Sequence, residues 1–245
     1  MGYKGRDVEV VWLSEDRCLI VACDSSGAIG EKEEDVVKVP PEVVGRFATR
    51  VALLEVMATG GYPQVLTVAI SNEPVPTGEG ILRGVREELR SLGLGSLAVA
   101  ISTEKNIPTQ QTGLGVGVTG TADSETLRIA RSQAGDIMYC LGIPKVGVEV
   151  ESPEDPEIVQ GRDVLELLHQ VQVHDLVPVG SRGIRSEAES LAESVGCIFE
   201  GIACSLDMQK SAGPSTCLIV TTPMGFRLEE GLRSSLAVTC IGRLN

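Results

Sequence analysis

The stretch that decides the fold is residues 43–63, Val43-Val44-Gly45-Arg46-Phe47-Ala48-Thr49-Arg50-Val51-Ala52-Leu53-Leu54-Glu55-Val56-Met57-Ala58-Thr59-Gly60-Gly61-Tyr62-Pro63. Pro40-Pro41-Glu42 just before it opens a helix, because proline is tolerated in a first turn and an acid there suits the helix dipole. Val44, Phe47, Val51, Leu54 and Ala58 then fall on one stripe, and Gly60 stops the helix. Glu55 lies one position off that stripe and four after Val51, so it borders the buried face. A charge there is costly unless something compensates it. Asp7, Asp24 and Glu104 also sit beside apolar runs in the same half of the chain, and acids that share one cation would provide that compensation. The pattern points to a metal–nucleotide site.

Working outward, 8–13 and 18–23 are apolar runs separated by the turn-like Ser14-Glu15-Asp16-Arg17, which predicts a hairpin. A polar, glycine-bearing loop follows to about Lys38. Beyond the helix, 65–70 reads as a strand, 78–92 as a helix, 97–101 as a strand and 113–121 as a glycine-rich alternating strand. After the Gly135-Asp136 turn the expected elements are strands at 137–141, 217–221 and 236–241 and helices at 163–171 and 186–195. An acidic, proline-bearing stretch occupies 149–157. Strands and helices mixed in this order, with a hairpin at the start, fit an α+β fold better than a strict βαβ array. A domain boundary is expected within 123–135, giving domains 1–130 and 131–245.

The 245 residues, 42% of them hydrophobic, suffice for one large core or two modest ones. The apolar runs stop well short of the roughly 18 residues that span a bilayer, and MGYKGRDVEV carries no apolar leader. A cytoplasmic protein is expected. The formal charge of −13 disfavours nucleic acid and anionic membrane as partners, since both are held by positive patches. Aromatics at 3% leave few stacking platforms for bases. The seven cysteines lie in apolar contexts without a CxxC pair, which is how buried free thiols look in a reducing compartment.

No GxxxxGK[ST] phosphate loop is present, and no GxGxxG follows a strand and opens a helix. Gly113-Leu114-Gly115-Val116-Gly117 has strand character. It reads either as a weak phosphate signal or as small residues where two sheets or subunits approach closely. Asp7 precedes the first strand, Asp24 ends the second, Glu55 sits on the helix and Glu104 follows the strand at 97–101. Taken singly, each reads as a solvated or capping carboxylate. Taken together, they are the oxygen donors that Mg²⁺ uses when it binds phosphates alongside a few carboxylates.

At these residues the chain resembles the aminoimidazole ribonucleotide synthetase-like (PurM-like) superfamily. Its members carry G-R-x-A, an acid ten residues after the glycine, and then G-[AG]-x-P. Here Gly45-Arg46-Phe47-Ala48, Glu55 and Gly60-Gly61-Tyr62-Pro63 match, with Glu where most relatives have Asp. Gly5-Arg6-Asp7-Val8 is similar to the G-D-D-A of kinase members with the first acid lost. Cys23-Asp24 resembles their T-D or V-D, and Ser102-Thr103-Glu104-Lys105 their GGDT without the diglycine. Arg131-Ser132-Gln133-Ala134-Gly135-Asp136 is similar to a shortened R-x-G-A-x-x-G-D turn. His174-Asp175-Leu176-Val177-Pro178-Val179-Gly180 resembles the start of H-D-I-S-D-G-G, its second aspartate absent.

The resemblance implies a two-domain α+β fold whose first domains pair their sheets in a homodimer, with a shortened C-terminal domain. It also implies ATP in a cleft near that pairing, with Mg²⁺ on Asp7, Asp24, Glu55 and Glu104. Nucleotide contacts from Asp24, Glu55, Glu104, Gly113 and Gly115 follow. Lys32, Lys105 and Asn106 are candidates for phosphate or acceptor contact, or are solvated loop side chains. His174, Ser181 and Arg182, with Arg185, are candidates for acceptor recognition, against structural or capping roles. His169 belongs to a helix face. Among members the likeness is greatest to the α-ribazole kinases, which phosphorylate a benzimidazole riboside for cobamide lower-ligand assembly. The alternatives are a thiamine-monophosphate kinase-like enzyme, another ATP-dependent member, and a non-catalytic ATP-sensing dimer module.

Overall fold

The structure, a computed structural model, describes residues 2–228 and 236–245. A five-stranded sheet is ordered β1-β2-β7-β5-β6, built from β1 (Glu9–Trp12), β2 (Arg17–Gly27), β5 (Tyr62–Ile70), β6 (Ala98–Thr103) and β7 (Gly113–Asp123). Its pairings are antiparallel except β5 with β6. The predicted hairpin is present as β1–β2, with Trp12 opposite Cys18. The short β3 (Ile29–Gly30) and β4 (Val37–Lys38) pair in the loop after β2.

A second five-stranded sheet, all antiparallel, is ordered β10-β12-β8-β11-β9. Its members are β8 (Ile137–Gly142), β9 (Leu176–Pro178), β10 (Phe199–Gly201), β11 (Cys217–Thr222) and β12 (Val238–Leu244). The sequence gives no signal for β3, β4, β9 and β10, because two or three residues are too few to display a period.

Helix α1 (Pro41–Ala58) lies between these layers. One side meets the alternating buried residues of the first sheet, Ile20, Ala22, Leu66, Val68, Val116 and Val118. Its other side shares the same core with Leu141, Leu176, Leu218 and Val220 of the second sheet. Helices α2 (Glu79–Ser91) and α3 (Gly161–Leu168) pack beside it. Helix α4 (Gly183–Ser194) covers the far face of the second sheet through Ile184, Ala188 and Leu191.

The single-stripe reading of α1 is therefore too narrow. Nearly every residue from Val44 to Ala58 is buried, Arg50 and Glu55 included, while Val51 is half-exposed. A helix enclosed by layers on several sides has no solvent face on which to place its charges.

Gly45 stands where α1 crosses α2. A Cβ there would collide with the Ile81 carbonyl, as one on Gly84 would collide with the Glu42 carbonyl. Gly60 ends α1 with φ +77°, the left-handed cap that a β-carbon disfavours. The chain between the sheets is tied down by arginines. Arg128 donates to the Leu168, Gln170 and Val173 carbonyls just after α3, and its own N–H to the Thr59 carbonyl at 2.7 Å.

The acidic stretch 149–157 is a packed strap. Lys145 binds Asp155 and Glu157 at 2.6 Å each, and Arg46 reaches Glu154. All seven cysteines are free. Cys18, Cys140 and Cys217 are buried, whereas Cys23, on the open face of the first sheet, is exposed. Among the described residues no helix is long and apolar enough to cross a membrane.

Candidate functional site

Glu55, 6% exposed on the inner side of α1, is the centre of a charge cluster drawn from four parts of the chain. The 3-10 turn Tyr3–Gly5 seats Gly5 against Ser190 of α4, where a Cβ would lie 3.8 Å from the Ser190 Cβ. This brings the segment that follows to α4, with Arg6 buried and Asp7 exposed. Gly180, two residues after β9, has the Asp7 Oδ2 and Glu187 Oε1 atoms both within 4.0 Å of where a Cβ would stand. Glu187 is 4% exposed on α4 and is held by Arg182 at 3.1 Å. Asp24 completes the group from β2, half-buried.

Among the described residues, few cations act on these acids. Burial pushes the Glu55 carboxyl up to about 8; Arg6 opposes the rise, and Asp7, Glu187 and Asp24 add to it. Burial also raises Asp24 to about 6 and Glu187 above its ordinary range, the latter against the pull of Arg182. Carboxyls raised by desolvation and by one another gain from any added positive charge. Among the described residues no three His, Cys, Asp or Glu side chains converge to hold a metal by themselves. The exposed Asp7 and half-buried Asp24 fit the other arrangement, in which Mg²⁺ keeps waters and is shared by one or two carboxylates and phosphate oxygens.

Asp24 also lines a cavity of about 380 Å³ between the two layers. Its walls are chiefly apolar: Val39, Val44 and Phe47 from the first half, Val150 and Pro214 from the second, with Ser25 and Ser26 beside the carboxylate. The Gly45-Arg46-Phe47-Ala48 run thus serves three purposes. Gly45 admits α2, Arg46 binds the Glu154 strap, and Phe47 with Ala48 lines the cavity.

The remaining sequence candidates fall elsewhere. Glu104 follows the edge strand β6, three strands from β2, roughly 14 Å at the usual strand spacing. Its Oε1 accepts the N–H groups of Asn106 at 2.7 Å and Ile107 at 3.2 Å, closing a turn that exposes Lys105 and Asn106. Lys32 donates to Glu73 at 2.8 Å; that bond and one from Thr77 lower the Glu73 carboxyl to about 2 despite its burial. Gly113 and Gly115 lie on β7, opposite Gly27 and Ser25 of β2.

His174 pairs its Nδ1 with Asp136 Oδ2 at 2.6 Å, at the opposite end of β9 from Gly180. Ser181 is exposed beside Arg182, the member of that trio brought into the cluster, and Arg185 pairs with Glu189. His169 caps the C-terminus of α3. The sequence reading missed Arg6 and Glu187 as site residues. Glu187 had a signal, since it stands on the Ile184, Ala188, Leu191 stripe of α4 as Glu55 stands within α1.

The mixed α+β fold of two layered sheets is matched over nearly the whole chain by solved structures. The chain is similar to thiamine monophosphate kinase from Aquifex aeolicus, at TM-score 0.68 and 18% identity, covering 98% of this chain and 88% of that one. A thiamine monophosphate kinase-type protein solved with AMPPCP and TMP matches at TM-score 0.66 and 18% identity, over 98% and 85%. The hydrogenase maturation protein HypE in complex with ATP matches at TM-score 0.68 and 15% identity, over 98% and 79%. No family model and no curated sequence matches the chain.

Proposed function

We propose that the protein is an ATP- and Mg²⁺-dependent kinase that phosphorylates the hydroxyl of a small riboside, with α-ribazole as the acceptor. The observation that carries this reading is Asp24, a carboxylate that belongs at once to the cation-poor cluster and to the apolar 380 Å³ cavity. A heterocycle seated against Val44, Phe47 and Pro214 would present its sugar hydroxyl at the polar rim formed by Asp24, Ser25 and Ser26. Asp7 and Asp24 would hold Mg²⁺, which supplies charge neutralisation at the phosphates being transferred. The protein's part is then to orient acceptor and donor and to exclude water. Glu55 and Glu187 lie behind them and set the local field. The solved relatives complexed with AMPPCP or ATP support a nucleotide in this fold.

A homodimer through the first sheet is part of the proposal. Its uncovered face carries Val21 and Tyr62, each at least 40% exposed, and Gly115 there has no neighbour of its own chain closer than 3.9 Å to a built Cβ. Domains of 1–130 and 131–245 and a cytoplasmic setting complete the reading, with neither nucleic acid nor membrane as a partner.

Purified protein with Mg-ATP is expected to form α-ribazole phosphate. Phosphorylation of thiamine monophosphate with none of α-ribazole overturns the acceptor. Calorimetry that detects Mg-ATP binding without turnover on any nucleoside makes the protein a nucleotide sensor.

A further inference from the structure

The second half gives the cavity its wall from two loops, Val146, Gly147 and Val150 on one and Gly213 and Pro214 on the other. The first loop is pinned at its base. Lys145 Nζ binds Asp155 at 2.6 Å, the Lys145 N–H donates to Thr216 Oγ1 at 2.9 Å, and Arg50 donates to the Pro153 carbonyl at 2.9 Å. Between these pins, residues 146–150 form a turn closed on itself. The Val146 N–H donates to Glu149 Oε2 at 3.0 Å and the Val150 N–H to the Gly147 carbonyl at 3.1 Å, with Gly147 at φ +60° and Val148 exposed at the tip. Val150 packs with Phe47 and Ile158. Among the described residues, one ion pair joins this turn to the rest of the protein: Lys210 Nζ binds Glu149 Oε1 at 2.8 Å.

The Lys210 side of that pair is fixed. Its carbonyl abuts the start of α4, 2.8 Å from where a Cβ on Gly183 would stand, and the Ala212 N–H donates to the Gly180 carbonyl at 3.1 Å. The two attachments of the loop also differ in kind. At the base the Lys145 and Asp155 side chains are 17% and 12% exposed, whereas Lys210 and Glu149 are 31% and 45% exposed, so solvent and salt screen the second pair more. We propose that Glu149 and Lys210 are positioning residues for the ligand of this cavity: their ion pair latches the 146–150 turn as a flap, and its release swings Val146, Gly147 and Val150 off the cavity while the Lys145–Asp155 base stays closed. Shut, the flap completes the apolar wall. Open, it lets the ligand in and out. The inference rests on the acceptor reading only in taking that ligand to be a heterocycle.

The test reads the flap by NMR relaxation dispersion of its amides and the cavity by stopped-flow binding of benzimidazole, on the full chain without ATP or metal. In Lys210→Met, the exchange at Gly147, Val148 and Glu149 is expected to report an open population about three- to fivefold larger, the weight of an exposed ion pair, with Asp155 and Thr216 unchanged. Benzimidazole should then enter and leave faster by the same factor at nearly the same Kd. Lys210→Arg should behave as wild type, and about 0.5 M KCl should make wild type behave as Lys210→Met. Relaxation and rates that do not move in Lys210→Met overturn the latch. Exchange that spreads to Asp155 and Thr216 overturns the hinged flap. Flap exchange that responds to Lys210→Met while benzimidazole fails to bind upholds the latch and sinks the acceptor reading instead.

Discussion

Helix α1 buries charge at two places, and they are treated in opposite ways. Where it crosses α2, Glu88 accepts from Arg50 Nε at 2.7 Å, from Arg50 Nη2 at 3.0 Å and from Arg46 Nε at 3.2 Å. Arg50 also donates to the Pro153 carbonyl at 2.9 Å and lies 5.2 Å from the Phe47 ring centroid. Near the C-terminal end of α1, Glu55 feels the charge of three other acids, and the arginine that also acts on it has no hydrogen bond to any of them. Arg50 and Glu88 at the first place and Arg6, Glu55 and Glu187 at the second are all 6% exposed or less. The satisfied one is a joint between helices; the unsatisfied one is where the proposed function puts its ligand. Burial alone does not distinguish the two places, but the completeness of the pairing does.

The largest effect should come from breaking the satisfied network. Glu88→Ala strands Arg50 in the interior and is expected to cost about 3–5 kcal/mol in urea denaturation. A loss below 1 kcal/mol would remove the contrast between the two places.

The cluster should show the reverse. Asp24→Asn is expected to lower kcat by about 10²–10³ with no loss of melting temperature, since it deletes a charge that the fold pays for and the phosphates use. Destabilisation without loss of turnover would make Asp24 a structural residue.

Next comes pH. Glu55 binds its proton in the folded state up to about 8, whereas an unfolded Glu releases it near roughly 4.3. Between those values the folded state binds more protons, so stability without ligand should fall as pH rises from 5 to 8, and Asp24 adds the same trend up to about 6. Glu55→Gln should flatten the fall in melting temperature across this range. An unchanged slope would sink the burial argument for Glu55.

The smallest effect is expected at Lys32. A double-mutant cycle of Lys32→Met with Glu73→Gln should give a coupling of less than about 1 kcal/mol, because Glu73 is one-third exposed. The sign with pH is opposite to that of Glu55: Glu73 is depressed to about 2, so its contribution is complete above roughly 4.3 and is lost as pH falls through about 2. A larger loss of turnover than of stability in Lys32→Met would return Lys32 to the catalytic candidates.

The sequence by itself determined the α+β class, the span and ends of α1, the β1–β2 hairpin and the long alternating strands, because these elements carry their periods and caps locally. It also marked Glu55 as a costly charge, since the apolar residues around it are its neighbours in the chain. Tertiary structure alone decided which charges meet there. Arg6, Asp24 and Glu187 are brought to Glu55 by a turn, a strand and a helix whose sequence separation says nothing of distance, while Glu104 is carried to the far edge of the sheet. The same packing decided that Arg50 is satisfied and Arg6 is not. Hydrogen-bond completion depends on what lies opposite across a layer, and no local pattern encodes that.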